Sequence, residues 1–383
     1  MKKKIKVLNI ISSLNPIYGG TSSSTIDLSL ALAKKGFKID IVTNDPIKSS
    51  YTRIKSVKVY NLGQGVGSYN FSLKLFFWLK KNKSRYDKFI FHGIWQFNTV
   101  IARYLLKNNF YVFTHGQLDP YFSTEILKKI KKQIYWNLIE KGNLKNSKAI
   151  LLTNKNEKEL QKKTFVNTNG LKKKIAKIGI VRTNLNKNKS KKILAKIFPK
   201  LNNKKYLLFL GRFHKKKGCE ILLKTFKKIT SAKTDIYLMM VGPNNSYQNN
   251  LKILSKNLGL HNKVIWSNTL IKKQKWAILK NAEAMVLSSH GENFGMSIAE
   301  SLSMNVPVIT TNKVNIHNIL TKTKSGFIAN NTEKSFYLSL KKFLSLNKND
   351  KTKMKLNASR CFQKYFDIEN NLHSITKILN EKK

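Results

Sequence analysis

The chain has 383 residues, of which 41% are hydrophobic, and this length predicts two domains. Its 73 lysines and arginines against 19 aspartates and glutamates give a formal charge of +54. That charge is consistent with binding to an anionic membrane surface, or with a lysine-rich composition that serves no partner. Nucleic-acid binding is disfavoured, because no basic-aromatic binding motif is visible. Two cysteines without a C-x-x-C motif leave a disulfide scaffold and a zinc site unsupported and favour a reduced, cytoplasmic setting.

The first half of the chain alternates strand-like and helix-like stretches. Residues 5–11 (IKVLNII) predict a buried strand, and a turn with Gly19 and Gly20 follows. A helical stretch then ends at Gly36, before a second strand at 38–45. Further strand-like runs stand at 57–62, 87–93, 110–116 and 148–154. The strand–helix–strand order predicts a parallel sheet.

A lysine- and asparagine-rich stretch divides the chain. Residues 186–203 show little apolar pattern and predict a basic linker, after which the alternation restarts. The sequence therefore predicts an α/β fold with two Rossmann-like domains, at 1–185 and 204–360, facing across a cleft. Ligands of such sheets bind outside the carboxyl ends of the strands, so we expect the site in that cleft.

A basic loop follows the first strand of the second half. In "FLGRFHKKKG", Arg212 and Lys217 stand just past the strand end. A guanidinium fork and an ammonium on one short loop suit a diphosphate. The alternative for Lys217 is an ordinary surface lysine, because lysine is abundant throughout the chain.

Two glutamates flank a predicted helix start in "GENFGMSIAES". Phe294, Gly295 and Met296 fall at the helix N-terminus, where free backbone N–H groups and the positive end of the dipole favour an anion. Glu292 precedes the helix and Glu300 lies in its second turn, and a carboxylate suits a vicinal diol. The alternatives are a helix-dipole charge for Glu292 and a solvated helix position for Glu300.

The first half offers fewer polar candidates. Gly19 and Gly20 follow the first strand and are also consistent with a plain turn. His115 follows a later strand in "VFTHGQLDP", with a satisfied strand-end histidine as the alternative, and His92 in "FIFHGIW" has a similar position but ranks lower.

These motifs together resemble the retaining glycosyltransferases of the GT-B fold, family four, also called group one. The resemblance rests on "PIYGG", "THGQLDP", "GRFHKKKG" and "ENFGMSIAESLSMNVPVITT", the last being similar to the family's paired-glutamate signature. It covers nearly the whole chain. It implies an acceptor-side domain at 1–185, a nucleotide-sugar-binding domain at 204–360, and a helix at 361–383 that crosses back to the first domain.

The resemblance also implies roles for the candidate residues. Glu292 would contact the hydroxyls of the donor sugar, Glu300 the ribose, and Arg212 and Lys217 the diphosphate. The N–H groups of Phe294, Gly295 and Met296 would assist the leaving group, Gly19 and Gly20 would let the acceptor-side loop approach the donor, and His115 would line the site beside the transferred sugar. No D-x-D motif is present, so no metal and no cofactor beyond the donor are expected.

The function predicted on this basis is transfer of a sugar from a nucleotide-diphosphate sugar to a hydroxyl of a glycan or lipid-linked glycan, in cell-surface polysaccharide synthesis. Retention by front-face attack is expected, with double displacement as the alternative. The competing functions are another GT-B enzyme, such as a sugar-nucleotide epimerase, and a non-catalytic basic binder of membranes or nucleic acid.

One stretch bears on the location of the protein. Residues 124–146 place Ile126, Ile130, Ile134 and Leu138 on one helical face, with lysines around it, as in an interfacial helix. An ordinary helix packed on its domain gives the same pattern, and residues 71–81 predict a helix buried on all sides. No apolar run approaches the roughly 18 residues of a spanning helix. We therefore expect a cytoplasmic protein, with peripheral binding to the inner face of the membrane left open.

Overall fold

The computed structural model describes residues 4–119, 126–161, 164–231 and 235–381, without the side chains of 126–128 and 272. The chain divides into two compact units. Unit 1 comprises Met1–Gly179 and Ile368–Lys383, and unit 2 comprises Ile180–Asp367. Each unit is built around one parallel sheet.

Unit 1 contains a seven-stranded sheet in the order β3-β2-β1-β4-β5-β6-β7, and all neighbouring strands pair in parallel. The strands are β1 Lys6–Ile11, β2 Lys38–Thr43, β3 Lys58–Asn61, β4 Lys88–His92, β5 Tyr111–Phe113, β6 Ala149–Leu152 and β7 Lys173–Ile175. The helices are α1 Gly20–Lys34, α2 Leu73–Asn82, α3 Phe97–Leu106, α4 Ile126–Tyr135, α5 Lys141–Lys145, α6 Lys155–Leu160 and, at the C-terminus, α15 Ile368–Asn380. A π-helical turn, Trp136–Glu140, joins α4 to α5.

Unit 2 contains a six-stranded parallel sheet in the order β10-β9-β8-β11-β12-β13. The strands are β8 Lys205–Leu210, β9 Ile236–Val241, β10 Val264–Ser267, β11 Ala284–Leu287, β12 Val308–Thr311 and β13 Gly326–Ala329. The helices are α7 Lys187–Ile197, α8 Cys219–Thr230, α9 Ser246–Asn257, α10 Lys272–Asn281, α11 Met296–Ser303, α12 His317–Thr323, α13 Glu333–Leu344 and α14 Lys348–Tyr365. The prediction of two Rossmann-like α/β domains is confirmed.

The strand order reverses once in each sheet, and this point decides where a ligand can bind. The reversal lies between β1 and β4 in unit 1 and between β8 and β11 in unit 2. Connections leave the two central strands in opposite directions there, which opens a crevice at the carboxyl edge of the sheet. The loop after β8 carries the basic motif, and the loop after β11 leads into the paired-glutamate motif.

The stretch predicted as a linker is helical instead. Residues 187–197 form α7, capped by the side chain of Asn186, and Ser190 and Leu194 are buried. The Nδ2 of Asn281 in α10 donates to the Ser190 Oγ at 3.1 Å. Because Ser190, Leu194 and Ile197 follow the spacing of one helical face, the helix packs on α10, although its lysines conceal the pattern.

Two other details differ from the predictions. The stretch from residue 361 begins inside α14 of unit 2, where Cys361 and Phe362 are buried, and only α15 belongs to unit 1. The α2 helix is buried on one face only, because Leu75 and Leu79 are in the core while Leu73 and Phe77 are exposed. No helix within the described residues has the length and apolarity to cross a membrane.

Candidate functional site

The loop after β8 is fastened to the loop after β11. A short 3-10 turn at Lys215–Lys217 ends at Gly218, which has a left-handed conformation. A Cβ at Gly218 would lie 2.0 Å from the carbonyl oxygen of Ser288, so only glycine fits. The Ser288 hydroxyl donates to the Gly218 carbonyl at 2.7 Å. This contact fixes the basic loop beside the loop that carries Glu292.

Lys217 and Glu292 form an ion pair in this place. The Lys217 Nζ donates to the Glu292 Oε1, and both side chains are largely buried. The backbone of Glu292 is held from the other side, because its N–H donates to Lys313 O at 3.2 Å and its carbonyl accepts from Asn315 N at 2.9 Å. The structure therefore brings two of the predicted site residues into direct contact.

The helix start between the two glutamates has the geometry of an anion site. Gly295 has a φ of 66°, and α11 begins at Met296 with no acidic residue in its first turn. The first N–H groups of a helix have no acceptor within the helix and lie at the positive end of its dipole. The ring of the preceding Phe294 packs edge-on against Phe366 at 5.5 Å between centroids. Arg212 is exposed on the neighbouring loop after β8.

Glu300 is buried rather than solvated. Its side chain, in the second turn of α11, has a residue exposure of 7% and accepts a hydrogen bond from the Lys275 Nζ at 2.8 Å. Lys275 also lies over the ring of Trp276, 4.6 Å from its centroid. The reading of Glu300 as a solvated position is therefore wrong. Sequence reasoning missed Lys275 because nothing distinguishes it from the many other lysines.

The glycines of unit 1 follow β1, next to the strand reversal. Gly19 has φ 84° and ψ −141°, a conformation open to glycine and costly for other residues. Gly20 is the first residue of α1. The backbone conformation at position 19 thus requires glycine.

His115 lies at the end of β5 and is in contact with His92. The His115 Nε2 is 3.0 Å from the His92 Nδ1, and the His92 Nε2 is 3.0 Å from the Asn9 Oδ1. Phe113 stacks on both imidazole rings. Burial lowers the pKa of His115 to about 4, and burial together with the neighbouring His115 lowers the pKa of His92 well below its usual value. Both rings are therefore neutral at pH 7.

Glu157 holds the turn that contains His115. This buried carboxylate accepts hydrogen bonds from the Thr114 Oγ1 and the Gly116 N, each at 2.9 Å, and from the N–H and hydroxyl of Thr153, each at 2.8 Å. His115, between Thr114 and Gly116, has a φ of 49°. Sequence reasoning missed Glu157. Its signal was the placement of one of few acids in the first turn of the helix that follows β6.

The predicted residues thus form two groups, one in each unit. Unit 2 holds Lys217 with Glu292, and Glu300 with Lys275 rather than with either of them. Unit 1 holds His115 with His92. Within the described residues, no group of three or more histidines, cysteines, aspartates or glutamates is arranged to hold a metal ion.

The second half of the chain is similar in sequence to known proteins. Residues 190–360 match the family model described as "Glycosyl transferases group 1". A curated relative, the alpha-1,3/1,6-mannosyltransferase ALG2 of Dictyostelium discoideum, is 28% identical over 199 residues. That alignment covers 47% of this chain and 47% of the relative, so the chain spans less than half the length of the relative it matches.

Two solved structures share the fold over nearly the whole chain. The glycosyltransferase from Rickettsia africae ESF-5 has a TM-score of 0.73 at 18% identity and covers 98% of both chains. Anabaena Alr3699/HepE in complex with UDP and glucose has a TM-score of 0.76 at 14% identity, over 98% of this chain and 99% of that chain. The fold of this chain is therefore that of GT-B glycosyltransferases, and the family match supports transferase activity.

Proposed function

We propose that this protein is a retaining, metal-independent glycosyltransferase. It moves a sugar from a nucleotide-diphosphate sugar to a hydroxyl of a glycan or a lipid-linked glycan, in cell-surface polysaccharide synthesis. The observation that carries the proposal is the arrangement around the N-terminus of α11, where the Lys217–Glu292 pair and the buried Glu300 surround a helix start at the strand reversal of unit 2.

The donor diphosphate would lie on the N–H groups of Phe294, Gly295 and Met296 at the start of α11, with Lys217 and Arg212 beside it. These positive groups are fixed before the reaction, so they stabilise the charge on the leaving diphosphate without reorganising. Lys217 would exchange its contact with Glu292 for one with phosphate. Glu292 would then accept hydrogen bonds from hydroxyls of the sugar.

Glu300 would bind the ribose of the donor. Lys275 orients this carboxylate, because the two side chains are hydrogen-bonded at 2.8 Å and largely buried. A carboxylate with one oxygen held in this way offers the other to a ribose hydroxyl.

In the transfer step, the bond between the anomeric carbon and the phosphate oxygen breaks as the acceptor hydroxyl oxygen bonds to that carbon on the same face. The acceptor proton passes to the departing phosphate oxygen. His115 would contact the transferred sugar, and Gly19 would leave room for the donor phosphates near the start of α1. The relative named as a mannosyltransferase and the neighbour solved with UDP and glucose support a hexose nucleotide as the donor.

A test combines a donor screen with one variant. The full chain is incubated with UDP-, GDP- and ADP-sugars, thermal shifts identify the donor, and transfer to glycan and lipid-linked acceptors is then measured. Glu292→Gln should lower turnover by about 100-fold, because the uncharged amide binds the sugar hydroxyls less well as charge develops. The matched control is Glu333→Gln, which alters an ion pair with Lys228 at the start of α13.

Normal turnover in Glu292→Gln would contradict the assignment of this site. Conversion of the donor sugar without any acceptor would favour the epimerase instead. Binding to membranes or nucleic acid with no turnover at all would favour the non-catalytic binder.

We further propose that unit 1 binds anionic membranes through the outer face of α4 and the π-helical turn. Ile130, Ile134 and Leu138 are 52%, 54% and 74% exposed, so this face does not pack on its own domain. Lys129 and Lys131 are exposed beside it. An apolar stripe with flanking lysines is the pattern of a helix lying in a membrane interface. The side chain of Ile126, which completes the predicted stripe, lies outside the described residues.

Liposome flotation tests this second proposal. The protein should bind vesicles that contain anionic lipid at low salt, and binding should weaken as salt is raised, because the lysine contribution is screened. Ile134→Asp should reduce binding by roughly tenfold or more, since it removes apolar area and adds a charge of the wrong sign. The exposed Ile253 of α9 provides the control Ile253→Asp. Equal loss in both variants would mean that the binding is not specific to α4.

A further inference from the structure

A chain of buried hydrogen bonds connects α1 to His115 through the end of the sheet. The Ser29 hydroxyl donates to the Thr25 carbonyl at 2.7 Å, and the Asn9 Nδ2 donates to the Ser29 Oγ at 3.0 Å. The Asn9 Oδ1 is 3.0 Å from the His92 Nε2, and the His92 Nδ1 is 3.0 Å from the His115 Nε2. Thr25, Ser29, Asn9 and His92 are all buried. The hydrogen positions along this series of hydrogen bonds follow from the end at the Thr25 carbonyl, which can only accept.

The first two steps fix the orientation of the Asn9 amide. A backbone carbonyl only accepts, so the single hydroxyl hydrogen of Ser29 is used on Thr25. The Ser29 oxygen can then only accept from Asn9, which requires the NH₂ group of the amide to face Ser29. The oxygen of the amide consequently faces His92.

The next two steps fix the tautomers of the two histidines. The Asn9 oxygen requires a hydrogen on the His92 Nε2. A neutral His92 then has only a lone pair on Nδ1, so it accepts from the His115 Nε2. A neutral His115 with its hydrogen on Nε2 has a lone pair on Nδ1. Burial lowers the pKa of both rings, which agrees with two neutral imidazoles.

We propose that His92 and Asn9 are positioning residues that hold His115 as the Nε2-protonated tautomer, so that its Nδ1 acts as a hydrogen-bond acceptor toward the sugar. This inference rests on the proposed function, in which His115 contacts the transferred sugar. An acceptor nitrogen requires a hydrogen on its ligand. The donor sugar therefore carries a free hydroxyl at this contact, and a sugar with a carboxylate there, such as a uronic acid, is excluded by repulsion between lone pairs and charge.

The backbone of His115 is held separately from its ring. Glu157 fixes the turn through the Thr114 hydroxyl and the Gly116 N–H, without contact to the hydrogen-bond chain from Thr25 to His115. A change at His92 should therefore leave the turn in place and alter the proton distribution. This separation makes the inference testable apart from folding.

The first measurement is ¹⁵N NMR of the full chain labelled at histidine, with the His115 signals identified by their loss in His115→Gln. The two ring nitrogens of a neutral histidine have different chemical shifts according to which one carries the hydrogen. We expect His115 to be protonated on Nε2 alone. In His92→Phe, which keeps an aromatic ring against Phe113, and in Ser29→Ala, which frees the Asn9 amide to turn, we expect a mixture of tautomers.

The second measurement is turnover. His92→Phe should lower kcat/KM by roughly tenfold for a donor with the hydroxyl at this contact, the effect of losing one hydrogen bond. His92→Phe should have no such effect on the donor whose sugar lacks this hydroxyl, because that donor is already turned over more slowly by the wild-type protein. The control is Phe113→Leu, which disturbs the packing of both imidazoles without changing any hydrogen bond in the chain from Thr25 to His115. It should leave the ratio between the two donors unchanged.

A wild-type His115 protonated on Nδ1, or a tautomer that stays the same in both His92→Phe and Ser29→Ala, would overturn the inference. The proposed function fails in a different way. If the tautomer is as stated and no sugar nucleotide is turned over, the positioning by His92 and Asn9 stands and the transferase assignment falls.

Discussion

The two units place their polar groups at the same point of the same fold but use opposite chemistry. At its strand reversal, unit 2 carries two lysine–glutamate pairs, Lys217 with Glu292 and Lys275 with Glu300. Across its own reversal, between Asn9 of β1 and His92 of β4, unit 1 carries a neutral chain of hydrogen bonds that continues to His115 after β5. The difference teaches that the fold supplies the position, while the side chains decide whether that position binds charge or orients a neutral group.

Each chemistry suits a separate task in the proposed reaction. A lysine in a pair can exchange a carboxylate for a phosphate, so the charged pairs fit the binding and release of a diphosphate. A buried neutral network has no charge to exchange, and each member is fixed by its neighbour. Such a network suits a ring that must keep one orientation while substrates come and go.

The largest effect is expected from removal of the lysine beside Glu292. Lys217→Ala should lower kcat by about 10²–10³-fold, the usual cost of losing one group that stabilises developing negative charge. Initial rates at saturating donor measure this. The control is Lys228→Ala, because Lys228 pairs with Glu333 at the start of α13, away from the two candidate pairs. A comparable rate loss in the control would mean that unit 2 responds to any loss of charge, and the contrast between the units would fail.

A smaller effect, on stability rather than turnover, is expected at Glu157. Glu157→Gln places an NH₂ group against donors, so at least one of the four hydrogen bonds is replaced by a clash of hydrogens. The free energy of unfolding of unit 1 should fall by about 2–4 kcal/mol. Guanidinium unfolding, with hydrogen exchange to locate the loss, measures this effect.

The control for Glu157 lies in the same helix. Glu159 is exposed, and Glu159→Gln should change the stability by less than about 1 kcal/mol. Equal losses in the two variants would show that the buried carboxylate does not act as a clamp. If Glu157→Gln lowered protection from hydrogen exchange in unit 2 alone, the assignment of the Glu157 contacts to the stability of unit 1 would be contradicted.

The alternation of strands and helices made the fold predictable, because apolar runs and glycine turns mark each element locally. The placement of the candidate residues of unit 2 was predictable for a related reason: the basic motif and the paired-glutamate motif each follow a strand, and loops after neighbouring strands meet at one edge of a sheet. The burial of Glu300 was not predictable, since its partner Lys275 is 25 residues away in sequence.

The parts that sequence reasoning missed depend on contacts between distant residues. The α7 helix is stabilised by burial of Ser190 and Leu194 against α10, and its lysine content gives no local sign of this. His92 ranked below His115 because a single position reveals no partner. Their hydrogen bond requires β4 and β5 to be neighbours in the sheet, which only the strand order establishes.

The smallest effect is a pH dependence specific to unit 1. Burial raises the pKa of Glu140 to about 8, partly opposed by hydrogen bonds from the Thr99 hydroxyl and the Trp95 backbone. The pKa of Glu140 is higher in the folded than in the unfolded state. Its contribution to the free energy of unfolding is therefore complete below about pH 4.5 and is lost as pH rises through about 8. The lowered pKa values of His92 and His115 act in the opposite sense. Their contribution is complete above about pH 6.5 and is lost as pH falls toward about 4.

Between pH 6.5 and 8 only the Glu140 contribution changes among these three groups. Because one pKa unit corresponds to about 1.4 kcal/mol, unit 1 should lose about 2 kcal/mol of unfolding free energy over this range. Denaturant titrations at several pH values, followed by hydrogen exchange, measure the loss. Glu140→Gln keeps the contact with Thr99 but does not titrate, so it should remove the slope. The same slope in that variant would assign the pH dependence to another group.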